Sequence, residues 1–572
     1  MRRRVSRGLT LMVGVGVAAC GGGEAGGTPG NASADAFCRE VTPQVDAWLA
    51  DAGEVGPGAR GETVVVGGAA ELPAGLNAFV VGDYASRQHQ QYVALMPLLR
   101  FDEELRLAPW LAESWEMNEE GTEVTFRLRD DVVWHDGEPT DAEDVAFTYA
   151  RITDPATPFP NPAYWKHYVR GPEGVEILDD RTVRFRMEPH GDPLHAWATV
   201  GIMPEHLLGE VPPGELARHP FGTRCPVGNG PFVFREHVPG DRWVFQANPA
   251  FPEELGGRPE VDRYVFRIIP EQPTLLTELL TGALDVYVAV APDQAEVILE
   301  DPEVELRAYD WPGYVYVGWN GRRPVLSDSR VRRALSLATD REEVVGAILQ
   351  GYGRVAHVSP PPFHPAYREK PPGMLAYDPE AARALLREAG WTDRDGDGIR
   401  ENADGEALSF TIKYHPGNRQ RQGIAEIMQS QLRKVGVDAR PVSVEWNTLL
   451  SQITDPESRD FDGVVMAWTV DFRVDDRDLF HSDAVDGQLA FSGTRNPRID
   501  ALIDSLDVTR DRTERQRLWA SYQEALSEEQ PYTWFYFPQR LDGVRTRLRG
   551  AVMDARGEWV TIHRWRLDPA TP

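Results

Sequence analysis

From about residue 61 to the C-terminus, strand-like and helix-like segments alternate with no fixed repeat period. Sustained over roughly 510 residues, this alternation implies a mixed α/β protein too long for one hydrophobic core, since about 150 residues per domain is the usual scale. Two or three domains are expected. Strands are expected at Thr63 to Val66, Val124 to Leu128, Val315 to Trp319, Leu408 to Tyr414 and Val464 to Trp468, the second by its period-two alternation. Thr140 and Glu143 read as a capping box before Val145, Tyr149 and Ile152 on one helical face. Asp378 and Pro379 read as N-cap and first helical residue, with Leu385, Leu386 and Ala389 as the apolar face and Gly390 as the stop. Ile424, Met428 and Leu432 recur at helical spacing before Gly436.

The N-terminus has its own logic. Arg2, Arg3, Arg4 and Arg7 precede an apolar, small-residue run from Leu9 to Ala19. A charged stretch followed by a short apolar one is the layout of an export signal, and the run is short of the roughly 20 residues that span a bilayer. Val17-Ala18-Ala19-Cys20 resembles a bacterial lipobox, so residues 1–19 are expected to be removed and Cys20 to carry the lipid. Two or more acyl chains hold a soluble body stably at a membrane. Ordinary signal cleavage is the alternative. Residues 20–60, rich in Gly, Ala, Ser, Asp and Pro, read as a flexible linker with one short helix-like piece near Phe37 to Leu49. No later apolar stretch is long enough to cross a membrane.

The formal net charge is -29, and it becomes -33 once residues 1–19 take away four arginines and no acids. Such a body repels phosphate backbones, so nucleic acid is excluded as a partner. Beyond Cys20 only Cys38 and Cys225 remain, too few for a disulfide framework or a cysteine-based zinc site. In an exported chain they either pair or stay as thiols.

The stretch LAPWLAESWEMNEEGTEVTFRLRDDVVWHDGEPTDAEDVAFTYARITDP at 107–155 closely resembles the signature region of the peptide/nickel class of ABC-transporter solute-binding proteins, extracellular family 5. Further blocks follow in that family's order: PVGNGPF at 226–232, TELLTGALDV at 277–286, YVGWN then VRRALSLATDREEVV at 331–345, YDPEAARALLREAGWTDRDGDGI at 377–399, IMQSQLRKVGVDA at 427–439 and AWTVDF at 467–472. The resemblance implies a two-lobed periplasmic-binding-protein-like fold with an inter-lobe cleft. The first lobe takes 61–95, 205–308 and 535–572, an extra subdomain 96–204, and the second lobe 309–534. It also implies hinge closure around a solute, here a short peptide, and delivery to ABC permease subunits in the membrane. The chain is expected to be monomeric, cofactor-free, exported and membrane-anchored, with no enzymatic activity.

In peptide-binding members a Trp-x-x-Asp supplies a carboxylate to the ligand's α-amino group, and Trp468 and Asp471 match that spacing. A buried ammonium needs such a charged partner; the competing role for Asp471 is to cap the next turn. Downstream the family commonly shows Asp-Pro, whereas this chain has Arg473-Val474-Asp475-Asp476. Trp319, Asn320 and Tyr84 are further candidates to line the cleft, with core packing the competing role for Trp319. Other solutes of the same class, such as a metal chelate, an opine or a glycan, and a sensory rather than import role, are the alternatives.

Two motifs invite other chemistry. His135 lies in Trp134-His135-Asp136-Gly137, a tight turn with no second His or Cys at ligand spacing, so it reads as structural. Asp393, Asp395 and Asp397 imitate the first half of a calcium loop, but the twelfth position is Asp404 rather than Glu, and a plain acidic turn is the simpler reading. No nucleophile elbow, zinc-protease motif or phosphate loop is present.

Overall fold

The computed structural model describes residues 30–52, 62–80, 83–157, 159, 165, 167–457, 459–470 and 472–568. The chain divides into two compact units, one comprising Met1–Arg307 with Leu541–Pro572 and the other Ala308–Arg540. The two changes of unit fall inside single strands, Val304–Asp310 and Tyr532–Arg545. Both units are α/β, and all five strands expected from the sequence are present to within two residues at either end.

The first unit carries a sheet in the order Phe232–Val238, Arg242–Ala247, Arg263–Ile268, Thr63–Gly68, Val286–Tyr287. Thr63–Gly68 runs parallel to both of its neighbours. Its glycines permit close packing: a Cβ on Gly67 would lie 2.5 Å from a Leu284 methyl. A separate four-stranded antiparallel sheet is formed by Ala112–Met117, Glu123–Leu128, Thr182–Arg186 and Val175–Asp179. The alternation read from the sequence is the reason: Val124, Phe126 and Leu128 are buried while Arg127 faces out. Tyr149 of the helix Ala142–Thr153 and Phe185 close this core around Trp197. The capping box of that helix falls one residue later than expected, between Asp141 and Asp144, because Thr140 is itself buried.

The segment expected to be a flexible linker is different over Gly30–Asp51, a 22-residue helix. A disulfide joins Cys38 to Cys225 with Cα atoms 5.5 Å apart. Asp35 pairs with Arg224, Asp46 pairs with Arg235 at 2.8 Å, and Val41 and Val45 are buried. Trp48 stacks on His135 at 5.7 Å, and the His135 Nε2 is 3.0 Å from the Gly230 carbonyl. Burial lowers the His135 pKa to about 4, so the ring is neutral and structural. Gly137 takes φ +98° to close its turn.

In the second unit the sheet order is Asp438–Ser443, Ser409–Tyr414, Gly463–Thr469, Gly313–Trp319, then the first part of Tyr532–Arg545. Helices cover both faces. Val315, Val317, Trp319, Phe410, Ile412 and Val465 pack with Leu335, Leu386, Met428 and Leu432 on one side. Tyr314, Tyr316, Val464, Met466, Tyr532 and Trp534 pack with Leu449, Ile503, Trp519 and Leu526 on the other. Gly313–Trp319 is therefore buried along its whole length, which is why it reads as a continuous apolar run.

Candidate ligand-recognition site

The sequence motif around Trp468 sits at the end of Gly463–Thr469, which runs parallel to Ser409–Tyr414. The carboxyl ends of such strands are where open α/β sheets receive ligands. Period two puts Val464, Met466 and Trp468 on one face. Val464 and Met466 are buried, whereas Trp468 is half-buried. Trp468 ends an aromatic stack: Tyr316 lies on Tyr532 at 4.0 Å between ring centres, and Trp468 lies 6.2 Å from both Tyr316 and Phe491, near parallel to each. Its indole N–H reaches the Tyr532 hydroxyl at 3.4 Å, a long bond that leaves the ring tethered but partly open.

Beyond the strand the chain makes a charged knot. Arg473, with 8% of its side chain exposed, meets Asp475 at 3.0 Å and Asp507 at 3.6 Å. Arg477 meets Asp504 at 2.8 Å. Asp476 is buried, and its Oδ2 accepts hydrogen bonds from Ser359 Oγ at 2.6 Å and Tyr522 Oη at 2.9 Å. Burial raises the Asp476 pKa to about 6 against those two bonds, and neighbouring Asp475 adds to the rise. The cavity lined by Arg473, Asp475, Asp476, Trp519 and Tyr522 measures ≈ 20 Å³, room for about one water and not for a solute. Arg473-Val474-Asp475-Asp476, the departure noted in the sequence, thus braces the turn.

Residues 106–486 match the family model described as bacterial extracellular solute-binding proteins, family 5. The oligopeptide-binding protein AppA of Bacillus subtilis is 30% identical over 521 residues, covering 89% of this chain and 92% of its own. This chain belongs to solute-binding family 5. The solved structure of B. subtilis AppA in complex with a nonapeptide superposes with a TM-score of 0.74 at 29% identity, over 89% of this chain and 99% of that one. The dipeptide-binding protein of Escherichia coli is 28% identical over 79% of this chain and 84% of its own. NikZ of Campylobacter jejuni, solved with Ni(L-His), shares the fold with a TM-score of 0.72 at 24% identity, over 88% of this chain and 99% of that one. Family members are extracellular binding proteins of transporters, not enzymes.

Of the candidate residues that are described, Trp468 alone stands half-open at a strand end. Asp471 and Cys20 lie outside the described residues. Trp319 is fully buried, packs against Phe410 at 5.6 Å and donates its indole N–H to Thr533 at 3.0 Å, so it has no surface to offer a ligand. Asn320 is likewise committed: its Nδ2 donates to the Phe461 carbonyl at 3.0 Å and its backbone N–H to Asp462. Both belong to the core rather than to a cleft wall. Tyr84, in the first unit, opens the helix Tyr84–Gln88 and donates its hydroxyl to Glu558 at 3.0 Å.

Asp393, Asp395 and Asp397 do converge, but with Glu401 rather than Asp404: one oxygen from each of the four lies within 4.8 Å of the others. All four carboxylates already accept local backbone N–H bonds, from Gly396, Asp397, Ile399 and Arg394. Arg421, the Asp476–Ser359–Tyr522 triad and the Tyr316–Tyr532 stack escaped the sequence reading. Arg421 had a signal: it falls three residues before Ile424, on the apolar stripe of its own helix.

Proposed function

We propose that this protein is the lipid-anchored receptor of an ABC importer, capturing short peptides by hinge closure and passing them to membrane permease subunits. One observation carries the ligand class: the relative that matches over nearly its whole length is named for oligopeptides, and its solved structure holds a nonapeptide. The half-open Trp468 at a strand end supports it by supplying an apolar wall, with Asp471 three residues later in the sequence. In this reading Asp471 accepts the peptide's α-ammonium, main-chain hydrogen bonds hold the backbone, and side-chain identity matters little.

The anchor is Cys20. Only nine residues, 21–29, lie between it and Gly30, where the helix fastened through Cys38 begins. The ten steps of chain reach about 35 Å at full extension, so the first unit works close to the membrane.

Isothermal titration of free and N-acetylated peptides against wild type and Asp471→Ala tests the ligand reading as a double cycle. The variant should lose about 3 to 5 kcal/mol toward free peptides and much less toward acetylated ones. Equal losses for both peptides reject the charge pairing.

A further inference from the structure

Asp476 lies eight residues after Trp468, buried, with both of its hydrogen bonds on one oxygen. The donors come from two other elements: Ser359 from the segment after the strand Gly353–Val355, and Tyr522 from the helix Arg512–Glu529. Tyr314 of Gly313–Trp319 and Tyr532 of Tyr532–Arg545 are further electrostatic neighbours, with Asp475 beside it in the chain. The cations close by are committed elsewhere. Arg473 pairs with Asp475 and with Asp507 of the helix Pro497–Val508, and Arg477 pairs with Asp504. Arg515, on the wall of the same cavity, donates to the carbonyls of Leu506 at 2.7 Å and Thr509 at 2.9 Å. Among the described residues no ion pair reaches Asp476.

A carboxyl buried with two hydroxyl donors and no cation costs least as the neutral acid. The cavity beside it has room for about one water, and its walls Asp475 and Asp507 are partly exposed, so the proton has a path to solvent. Two connections run from this carboxyl to Trp468. One is the chain between them, fastened where the Val470 N–H donates to the Pro312 carbonyl at 2.9 Å and where Arg473 meets its two acids. The other runs through packing. The Asp476 carbonyl accepts from the N–H groups of Leu479 at 3.1 Å and Phe480 at 2.9 Å, which opens the helix Arg477–Phe480. The Phe480 ring meets Tyr532 at 4.9 Å, and the Tyr532 hydroxyl holds the indole N–H of Trp468 at 3.4 Å. A bond of that length has little to lose, so a small shift of Tyr532 breaks it. Close-packed interiors pass such shifts on.

We propose that Asp476 is a positioning residue for Trp468: as the neutral acid it fixes the turn and the helix Arg477–Phe480, and on ionising it releases both, so that solute capture weakens as pH rises. That Trp468 meets the solute rests on the function proposed above; its coupling to Asp476 does not.

The test compares wild type, Asp476→Asn and Tyr522→Phe by titration with the best-bound member of a panel of nonapeptides at pH 5 to 7.5. Burial holds the Asp476 proton up to about pH 6, and only the protonated fraction keeps Trp468 in place, so wild type should bind about five- to thirtyfold more weakly at pH 7.5 than at pH 5. Asp476→Asn should keep the low-pH affinity of wild type throughout. Tyr522→Phe removes one of the two bonds that favour the ionised form, so the loss should set in at higher pH. The same pH dependence in wild type and Asp476→Asn overturns the proposal, as does an onset that Tyr522→Phe leaves unmoved. Weak binding by Asp476→Asn at every pH also overturns it, since the residue would then be needed as a carboxylate. If no peptide binds wild type, the peptide reading falls on its own, and amide hydrogen exchange without ligand decides the coupling. Protection of Gly463–Thr469 and Arg477–Phe480 that is equal in wild type and Asp476→Asn at pH 5 but lower in wild type at pH 7.5 retains it; equal protection at both overturns it.

Discussion

Replacing Asp476 by Asn probes how the second unit carries a carboxyl group away from water. The side chain is 5% exposed and receives two hydrogen bonds on one oxygen, from Ser359 and Tyr522. Burial outweighs both and raises the pKa from 3.8 to about 6. That difference corresponds to about 3 kcal/mol between the protonated and ionised forms. The folded protein holds the proton more tightly than the unfolded chain, so the stabilisation is complete below about pH 4, is lost as pH rises through about 6, and stays lost above. Asn mimics the protonated form at every pH and still accepts from both hydroxyls. The variant should therefore match wild type at pH 4 and exceed it by about 3 kcal/mol at pH 7, roughly 6 to 12 °C in melting temperature for a unit of this size. Calorimetric melts of both proteins from pH 4 to 8 measure the gap, and other titrating groups largely cancel in the difference. A gap independent of pH, or a wild type that is the more stable at pH 7, refutes the account, since the hydroxyl bonds would then outweigh desolvation.

Cys38→Ser should lower stability by about 3 to 5 kcal/mol, because the bridge closes a loop with a sequence separation of 187 residues; unchanged melting under oxidising conditions would show that the helix Gly30–Asp51 docks without it. Cys20→Ser should move the protein from the membrane to the soluble fraction, and a variant that stays membrane-bound after a high-salt wash contradicts the lipid anchor. Trp319→Ala should cost about 3 to 5 kcal/mol by opening a core cavity, measured by denaturant unfolding. Near-neutral stability with lost peptide binding would instead return Trp319 to the ligand site.

Family and fold class could be read from the chain because both are written in local patterns. The strand Glu123–Leu128 declares itself by alternation, the helix Pro379–Glu388 by Asp378 and Pro379 at its start, and the family by long runs of residues in a set order. Such signals depend only on neighbours a few positions apart. The helix Gly30–Asp51 was harder to see because its composition is that of a tether; it is held by Cys225, Arg224 and Arg235, nearly two hundred residues away.

The sequence by itself determined the alternation of elements and the apolar faces, consequences of residue type and spacing, while the candidate pair Trp468 and Asp471 followed from the family resemblance. Only the tertiary structure decided which candidates are committed elsewhere. Trp319 was open to two roles, cleft wall or core packing, until Phe410 and Thr533 took its ring and its N–H. Asp393, Asp395 and Asp397 read as a plain acidic turn because the twelfth position is Asp404 rather than Glu, and only folding brought Glu401 beside them. Arg421 looked like one arginine among many until its surroundings proved to be Trp446, Met466 and Tyr536 with no carboxylate among the described residues. The physical reason is common to all three: whether a polar group is satisfied depends on partners that the chain brings close only by folding, and sequence distance carries no record of them.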